Sequence, residues 1–219
     1  MKRLIIAIDG PSGAGKGTVA RAIASNLGYR HVDSGAMYRA VGWKALREGI
    51  ALDDEVSVSE LASRTHIEVG ATTTVDGEDV TRAIRTPEID RAAAAVARLP
   101  TVRTILVARQ REVAANGGIV MEGRDIGTVV FPHADVKLYL DASAEERARR
   151  RAHDPAHHGG PEKVSDVATL LTERDRLDST RAASPLYAAA DAIVIDTTGK
   201  QVEEVVAEVM EIVRAKLSG

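Results

Sequence analysis

Nine consecutive residues decide the fold of this chain, and they read Gly10-Pro11-Ser12-Gly13-Ala14-Gly15-Lys16-Gly17-Thr18. They follow a near-continuous apolar run at residues 4–8, which is typical of a strand buried on both faces. After them, Val19, Ile23 and Leu27 recur every fourth residue until Gly28, a pattern that predicts one face of a helix and its end. Strand, turn and helix in this order form the first half of a βαβ unit.

The same stretch has the spacing of a phosphate-binding loop, with Gly10 and Gly15 followed by Lys16. Glycines let backbone N–H groups turn inward around a β-phosphate, and the N-terminus of the next helix adds positive potential. Lys16 would add a point charge that bridges the β- and γ-phosphates. We therefore expect residues 10–18 to bind ATP.

The loop departs from the general pattern at Gly17, because the hydroxyl residue comes one position later, at Thr18. Direct ligation of a metal by Thr18 is therefore doubtful, and we assign this residue a contact through water. Mg²⁺, bound together with ATP as the co-substrate, would be held mainly by phosphate oxygens and waters, which this ion tolerates well.

Composition limits the class of protein. The chain has 219 residues, enough for one sizeable core that carries subdomains. Aromatic residues make up only 3%, so the core must consist of Ala, Val, Ile and Leu, which suits helices covering a parallel sheet.

Charge and hydropathy limit the partners. A net charge of −3 provides no global basic field to hold nucleic acid. The absence of cysteine excludes disulfides, thiolate zinc sites and cysteine nucleophiles. The first apolar run is too short for a signal peptide, and nothing later approaches the ~18 apolar residues of a membrane span. We expect a cytoplasmic protein, acting as a monomer, that binds neither nucleic acid nor membranes.

Strand and helix patterns alternate along most of the remaining chain. Residues 29–32, 119–121, 136–140 and 192–195 resemble strands of a central sheet, whereas residues 202–216 have the period of an amphipathic helix. This alternation predicts an α/β fold of the P-loop NTPase type, a parallel sheet with helices on both faces.

Three local features interrupt or refine that alternation. Ser34 is expected to cap a helix running toward Glu48. Residues 65–80 alternate and are β-branched, with turn signals between them, which predicts a small antiparallel excursion outside the main sheet. Helical patterns then run from about 87 to 115 with an interruption at Pro100, and the Gly- and Pro-containing residues 153–161 are a candidate lid.

Three charged clusters could form a second anion site, which a kinase needs for its acceptor. They are DSGAMYR at 33–39, EGRDIG at 122–127 and ERDRLDSTR at 173–181, whose Arg174, Asp178 and Arg181 would share one helix face. Each also has a simpler interpretation: a local ion pair, a solvated turn, or an exposed helix pair contributing ~0.3–0.5 kcal/mol. Their occurrence together favours an anion site.

Five segments of the chain, GPSGAGKGT, DSGAMYRA, GEDVTRAIRTPEI, EGRDIGTVVFP and ERDRLDSTRAASPL, closely resemble the bacterial cytidylate (CMP) kinases in order and spacing. The resemblance covers essentially the whole chain, and EGRDIGTVVFP is specific to this family among nucleoside monophosphate kinases. It implies ATP-dependent phosphorylation of CMP and dCMP to CDP and dCDP, with ADP as the other product. It also implies a P-loop core at about 1–32, 105–147 and 180–219, a CMP-binding subdomain at about 33–104 with a β insert at about 62–86, and a lid at about 148–170.

The resemblance assigns eight residues to CMP: Ser34, Arg39, Arg103, Arg124, Asp125, Arg174, Asp178 and Arg181. It places Arg39 against the phosphate and makes Arg124 a clamp on that phosphate. Arg103 and Asp125 would read the cytosine edge.

The remaining assignments concern the ribose, the transferred group and ATP. Asp178 would accept hydrogen bonds from the ribose hydroxyls with Arg174 alongside it, and Arg181 would lie between the two substrates. Arg147 and Arg151, four residues apart, would contact ATP, although a solvated basic helix face is the alternative. The catalytic residues implied are Lys16, Arg124 and Arg181.

One position departs from the family pattern. Members usually carry a serine where this chain has Ala94, so we expect a weaker preference for cytosine over uracil.

Two other functions stay open. A kinase for UMP or AMP is one alternative. A P-loop ATPase is another, because residues 136–141 resemble a Walker B strand that ends in an acid.

Overall fold

A computed structural model describes residues 3–156, 163–181 and 183–218 of the chain. Its strands are β1 (Ile5–Asp9), β2 (Arg30–Asp33), β3 (Ile67–Val69), β4 (Thr73–Val75), β5 (Glu78–Asp79), β6 (Ile119–Gly123), β7 (Val136–Asp141) and β8 (Ile193–Asp196). Its helices are α1 (Lys16–Leu27), α2 (Ser34–Arg47), α3 (Glu55–Arg64), α4 (Pro87–Val96), α5 (Pro100–Val113), α6 (Ala144–Ala152), α7 (Val164–Thr180) and α8 (Val202–Ser218), with a π-helical turn at Ile126–Val130.

The main sheet has five parallel strands in the order β2-β6-β1-β7-β8. β1 lies at the centre, and its Ile6 and Ile8 are fully buried, as the apolar run of the sequence predicts. Because the strands are parallel, the carboxyl ends of β1, β2, β6 and β7 meet at one edge, where the phosphate-binding loop begins.

Helices cover both faces of this sheet, so the predicted α/β fold is confirmed. On one face, Val19 and Ile23 of α1 and Val209 of α8 pack with Leu138 and Leu140 of β7. The other face buries residues from β6, α5 and the π-helical turn, namely Ile119, Met121, Val107, Ile126 and Val130. The predicted α8 is confirmed as well, and Gly28 ends α1 in a left-handed conformation.

The predicted antiparallel excursion is also confirmed. β3, β4 and β5 form a separate sheet, and Asp76 and Gly77, both with positive φ, make the turn between β4 and β5. Val75 of β4 packs with Ala36 and Ala40 of α2, so this small sheet covers the helix that follows β2. The helical region from about 87 is interrupted where expected, because Pro100 occupies the first turn of α5.

Two local predictions are wrong. The residue that caps α2 is Asp33, whose carboxylate accepts a hydrogen bond from the N–H of Ala36, and not Ser34. Arg181 is the residue after α7 and has an extended backbone, so it does not continue the helix face of Arg174 and Asp178. A carboxylate competes well with serine for a helix N-terminus, because it adds a favourable charge to the cap.

The expected lid region is described only in part. Residues 148–156 include the last turns of α6, and residues 163–170 include the start of α7. Residues 157–162, which belong to the expected lid, lie outside the described residues. Within the part of the chain that the structure describes, no helix is both long and apolar enough to cross a membrane.

Candidate active site

The backbone path of the phosphate-binding loop requires glycine at two positions, Gly10 and Gly13. A Cβ on Gly10, whose φ is +145°, would lie 2.0 Å from the carbonyl oxygen of Leu140 in β7. A Cβ on Gly13, at φ +82°, would lie 2.7 Å from the carbonyl oxygen of Arg147 in α6. The loop therefore wraps closely against its neighbours and leads directly into the N-terminus of α1, which is the arrangement that binds phosphate.

Lys16 is the first residue of α1, and its side chain is buried at the loop. Its Nζ donates a hydrogen bond of 2.6 Å to the carbonyl oxygen of Pro11. Burial and the nearby positive charge of Arg124 lower the pKa of Lys16 to about 7. A phosphate anion beside these two cations would favour the charged lysine, so the site is prepared electrostatically for an anion.

The space beside Gly17, where the loop departs from the general pattern, is occupied by a carboxylate. A Cβ at this position would lie 2.9 Å from Oε1 of Glu122 at the end of β6. Glu122 is 8% exposed, and the same oxygen lies 3.1 Å from Nε2 of His31. A serine or threonine side chain at Gly17 would therefore require the Glu122 carboxylate to shift.

The residues beside the loop, Thr18 and Glu122, fit a metal ion that keeps its waters better than one that they ligate directly. Thr18 is exposed and lines the cleft, and Glu122 contributes one carboxylate next to the loop. Among the described residues, no group of three or more His, Asp or Glu side chains is close enough together to bind a metal. A hard cation that keeps most of its waters is compatible with this set.

The first acceptor cluster is organised by Asp33 at the end of β2. Its Oδ2 lies 2.6 Å from Nη2 of Arg39 and 3.1 Å from Nη2 of Arg85. Burial alone would raise its pKa, but Arg39 and Arg85 hold the pKa of Asp33 well below its ordinary value. Ser34 lies beside them and donates a 2.7 Å hydrogen bond to the carbonyl oxygen of Glu122, which ties α2 to β6.

A second ion pair joins two predicted CMP residues. Nε of Arg124 lies 2.8 Å from Oδ2 of Asp178. Although burial opposes it, the positive charges of Arg124 and Arg174 lower the pKa of Asp178, so this carboxylate is ionised. Arg174 also pairs with Asp90 of α4 at 3.1 Å.

The third cluster is the most deeply buried. Arg103 of α5 pairs with Asp125, and its guanidinium carbon lies 5.6 Å from the centre of the Tyr38 ring. Nη2 of Arg181 lies 3.7 Å from Oδ1 of the same Asp125. Burial raises the pKa of Tyr38 to about 12, so its hydroxyl stays neutral. The same part of the cleft wall is thus lined by two guanidinium groups, one carboxylate and one phenol.

The arginines of α6 differ in their partners, and Arg147 packs behind the loop without lining the cleft, whereas Arg150 and Arg151 line it. Arg147 donates to the carbonyl oxygen of Ser12 in the phosphate-binding loop at 3.2 Å and pairs with Asp175 at 2.5 Å. Arg151 pairs with Asp90 and so lies toward the acceptor clusters rather than the loop. Arg150 lies nearer the loop, with Nη1 3.6 Å from the Cβ position of Gly15.

The loop and the clusters line one cleft with a volume of about 880 Å³, which is within the usual range for a ligand site. Several buried arginine nitrogens have no hydrogen-bond partner among the described residues: Nε of Arg39, Nε of Arg174 and Nη2 of Arg181. Buried donors without partners are rare, and here they belong to cationic groups that line the cleft. The site is therefore suited to a polyanionic ligand.

Sequence reasoning missed several residues of this site. Glu122 and Arg85 lie inside the quoted motifs, but the motifs assign them no role, and no pattern singles out Arg150. The local ion pair that the 33–39 cluster suggests between Asp33 and Arg39 is confirmed, whereas the second partner of Asp33 is not predicted. Position at the carboxyl end of a parallel strand was a usable signal for Asp33 and Glu122. No signal in the sequence points to Arg85, because its contact with Asp33 joins residues 52 apart.

Comparison with known proteins gives a match along nearly the whole chain. The family model for cytidylate kinase matches residues 6–215. The chain belongs to the cytidylate kinase family. A cytidylate kinase from Solibacter usitatus is 47% identical over 220 residues, which cover 99% of this chain and 95% of that protein. A cytidylate kinase from Desulforamulus reducens is 52% identical over 205 residues, 92% of each chain.

Solved structures support the fold found in this cytidylate kinase family member. A shikimate kinase from Bacteroides thetaiotaomicron has a TM-score of 0.54 at 11% identity, covering 97% of this chain and 99% of that one. A sugar kinase from Janibacter has a TM-score of 0.51 at 18% identity, and the alignment covers 96% of this chain and 94% of that one. At such identities the likeness concerns the fold alone, whereas the family resemblance of the sequence is confirmed by the family model and the relatives.

Proposed function

We propose that this protein transfers the terminal phosphoryl group of ATP to CMP and dCMP, forming ADP and CDP or dCDP. The observation that carries this proposal is one cleft that brings a phosphate-binding loop together with buried arginine nitrogens of Arg39, Arg174 and Arg181 that have no hydrogen-bond partner among the described residues. A module that only hydrolyses ATP would not need this second set of buried cations. Membership in the cytidylate kinase family supports CMP as the acceptor.

The acceptor needs no general base. The second pKa of a phosphate monoester is ~6, so the attacking oxygen of CMP is already anionic at neutral pH. Catalysis then consists of aligning the two phosphates and neutralising the charge of the transferring group. Lys16, Arg124 and Arg181 are the groups we assign to this task, because they approach the cleft from both substrate sides.

Mg²⁺ belongs to the proposal as the partner of ATP. When bound, it would neutralise charge on the β- and γ-phosphates and help to orient them. Thr18 and Glu122 are the residues beside the loop that would hold its waters, as the exposed hydroxyl and the buried carboxylate suggest.

The acceptor residues are assigned by their position around the cleft. We propose that Ser34, with Arg39, binds the CMP phosphate, and that Arg103 with Asp125 reads the base. Asp178 would accept from the ribose hydroxyls, because its carboxylate can accept further hydrogen bonds beside the one that Oδ2 accepts from Nε of Arg124.

On the donor side, we propose that Arg147 supports the loop and that Arg150 contacts ATP. The contact of Arg151 with ATP stays a prediction, because this arginine pairs with Asp90 on the acceptor side of the cleft. We further propose the division into a core, a CMP-binding subdomain at about 33–104 and a lid at about 148–170. Closure of that lid would exclude water, which would otherwise take the phosphoryl group. A cytoplasmic location and a monomeric state complete the proposal.

A coupled assay of ADP formation tests the function. ATP and Mg²⁺ are supplied with CMP, dCMP, UMP or AMP, and also with no acceptor. We expect turnover with CMP and dCMP, less with UMP, and almost none without an acceptor. Equal ADP formation with and without CMP would identify an ATPase, and dominant turnover with AMP would identify a different acceptor. Phosphorus NMR of the products confirms that a nucleoside diphosphate forms.

A further inference from the structure

A single buried carboxylate connects the central strand to the loop that carries Arg124 and Asp125. Asp9 is the last residue of β1 and is 4% exposed. Its Oδ1 accepts a hydrogen bond of 2.8 Å from the N–H of Ile126, and its Oδ2 accepts one of 2.7 Å from the N–H of Gly127. These two N–H groups begin the π-helical turn after Asp125, so the carboxylate ties the start of the turn to β1.

The hydrogen bonds of Asp9 join two segments of backbone that are both closely packed. The backbone of Asp9 is paired with Gly123 in β6 and with Tyr139 in β7, at the centre of the sheet. The next residue is Gly10, whose close approach to β7 fixes the start of the phosphate-binding loop. On the other side, a Cβ on Gly127 would lie 3.3 Å from Oδ2 of Asp9, so the turn packs directly on the carboxylate.

We propose that Asp9 is a positioning residue that sets the distance between the donor and the acceptor phosphate sites, an inference that rests on the proposed kinase function. Asp9 does not line the cleft, so it acts through the two backbone N–H groups and, through them, on Arg124 and Asp125. In-line transfer needs reacting atoms ~3–3.5 Å apart, and a displacement of about 1 Å can cost about 100-fold in rate.

The protonation state of Asp9 controls how many of these bonds can form. The ionised carboxylate accepts both, whereas the protonated acid turns one oxygen into a donor that faces an N–H. Burial raises the pKa of Asp9 to about 6, although the hydrogen bonds from Gly127 and Ile126 oppose the rise. The charge of Asp125 adds to it, and that of Lys16 opposes it. On β7, Tyr139 also faces Asp9, and Lys137 approaches the same turn while its ammonium group is bound elsewhere. The contact should therefore weaken as the pH falls through about 6.

The experiment compares the full-length protein with Asp9→Asn, which resembles the protonated form at every pH. We measure kcat and KM for CMP, and the Kd of ATP, from about pH 5 to about pH 8. At pH 8 we expect kcat/KM for CMP to fall at least about tenfold, with the Kd of ATP changed by less than about twofold. The ratio of wild type to variant cancels the ionisation of CMP itself, and we expect it to shrink toward low pH.

A matched control separates positioning from general loosening of β1. Asp135→Asn removes the same kind of contact at the other end of this strand, where Oδ2 of Asp135 accepts from the N–H of Ile5 at 2.9 Å. This control should leave kcat/KM for CMP unchanged. Equal losses in both variants, or a ratio that does not change with pH, would overturn the inference.

Two further measurements keep the test decisive. If Asp9→Asn does not fold, Gly127→Ala places a methyl group about 3.3 Å from Oδ2 of Asp9 and about 3.2 Å from the Lys137 side chain, so one of these neighbours must shift. Accelerated hydrogen exchange at the N–H of Ile126 with an unchanged kcat/KM for CMP would overturn the inference. Hydrogen exchange at the N–H of Ile126 and Gly127 needs no substrate, and it should accelerate in Asp9→Asn. A wild-type protein that does not phosphorylate CMP refutes the proposed function, whereas active wild type with unchanged exchange in the variant refutes only the role of Asp9.

Discussion

The donor side of the cleft consists of consecutive backbone, whereas the acceptor side consists of charged side chains from distant parts of the chain. Residues 10–18 follow one another and depend on glycine for their path. On the acceptor side, Arg124 pairs with Asp178 across 54 positions and Arg103 with Asp125 across 22. The first site is fixed by local conformation, and the second exists only once the fold has brought its members together.

This difference predicts where mutations act. A change on the donor side should mainly lower the rate of catalysis, because it removes a charge or distorts the loop backbone. A change on the acceptor side should also leave a buried partner without its counter-ion, so it should affect stability together with substrate binding. The following predictions test that contrast, from the largest expected effect to the smallest.

Lys16→Ala should lower kcat/KM by roughly 1,000-fold, because the variant loses a buried cation next to the transferring group. The free energy of unfolding should not fall by a comparable amount, since the lysine is itself destabilised by burial and by Arg124. Steady-state kinetics and urea unfolding measure the two quantities. A large loss of stability with little loss of turnover would contradict the contrast.

Asp125→Asn should lower the free energy of unfolding by ~3 kcal/mol, because Arg103 is left buried without its partner beside Arg181. Both members of the pair are nearly inaccessible, with side chains 5% and 7% exposed. Glu173→Gln is the matched control, because its pair with Arg176 is exposed, and its midpoint in urea should not move. Equal midpoints for both variants would show that the buried pair contributes no stability.

Arg181→Ala should lower kcat by about 100-fold and change the affinity for ATP far less, because this arginine is expected to contact the transferring group. Arg176→Ala, five residues earlier and exposed, is the control and should retain wild-type kinetics. An effect of Arg181→Ala on KM alone would assign this residue to ground-state binding instead.

Binding of ATP at pH 8 should take up most of one proton. The pKa of Lys16 in the free protein is about 7, so the lysine is mostly neutral at this pH and becomes charged beside the phosphates. Calorimetry in two buffers of different ionisation enthalpy measures the uptake, which should decline as the pH falls below about 7. Lys16→Arg keeps the charge without titrating, so uptake in that variant equal to wild type would contradict the assignment.

Ala94→Ser should increase the preference for CMP over UMP by about 1 kcal/mol, or roughly fivefold, through one additional hydrogen bond to the base. Ala94 lines the cleft on α4, as this prediction requires. Competition between CMP and UMP in one reaction measures the ratio of their kcat/KM values. An unchanged ratio would mean that the missing hydroxyl is not what sets the choice of base.

The same contrast explains what the sequence could reveal. The loop, α1 and the central strands follow from glycine spacing and hydrophobic period, which are local properties. Serine is a common capping residue, so the sequence favours Ser34 as the cap of α2, but Asp33 lies one position earlier and also attracts Arg39. Likewise, the identity of the partner of Arg151 depends on how α6 meets Asp90 of α4, and no spacing within a single segment contains that information.

Asp33 has a consequence for the substitutions that this protein can tolerate. The same carboxylate caps α2 and binds both Arg39 and Arg85. Asp54 also caps a helix, α3, but its other contact is with the hydroxyl of Ser57. Serine, threonine or asparagine can replace a capping aspartate, yet none of them can balance two guanidinium groups. A saturation library should therefore retain several residue types at position 54 and almost solely aspartate at position 33.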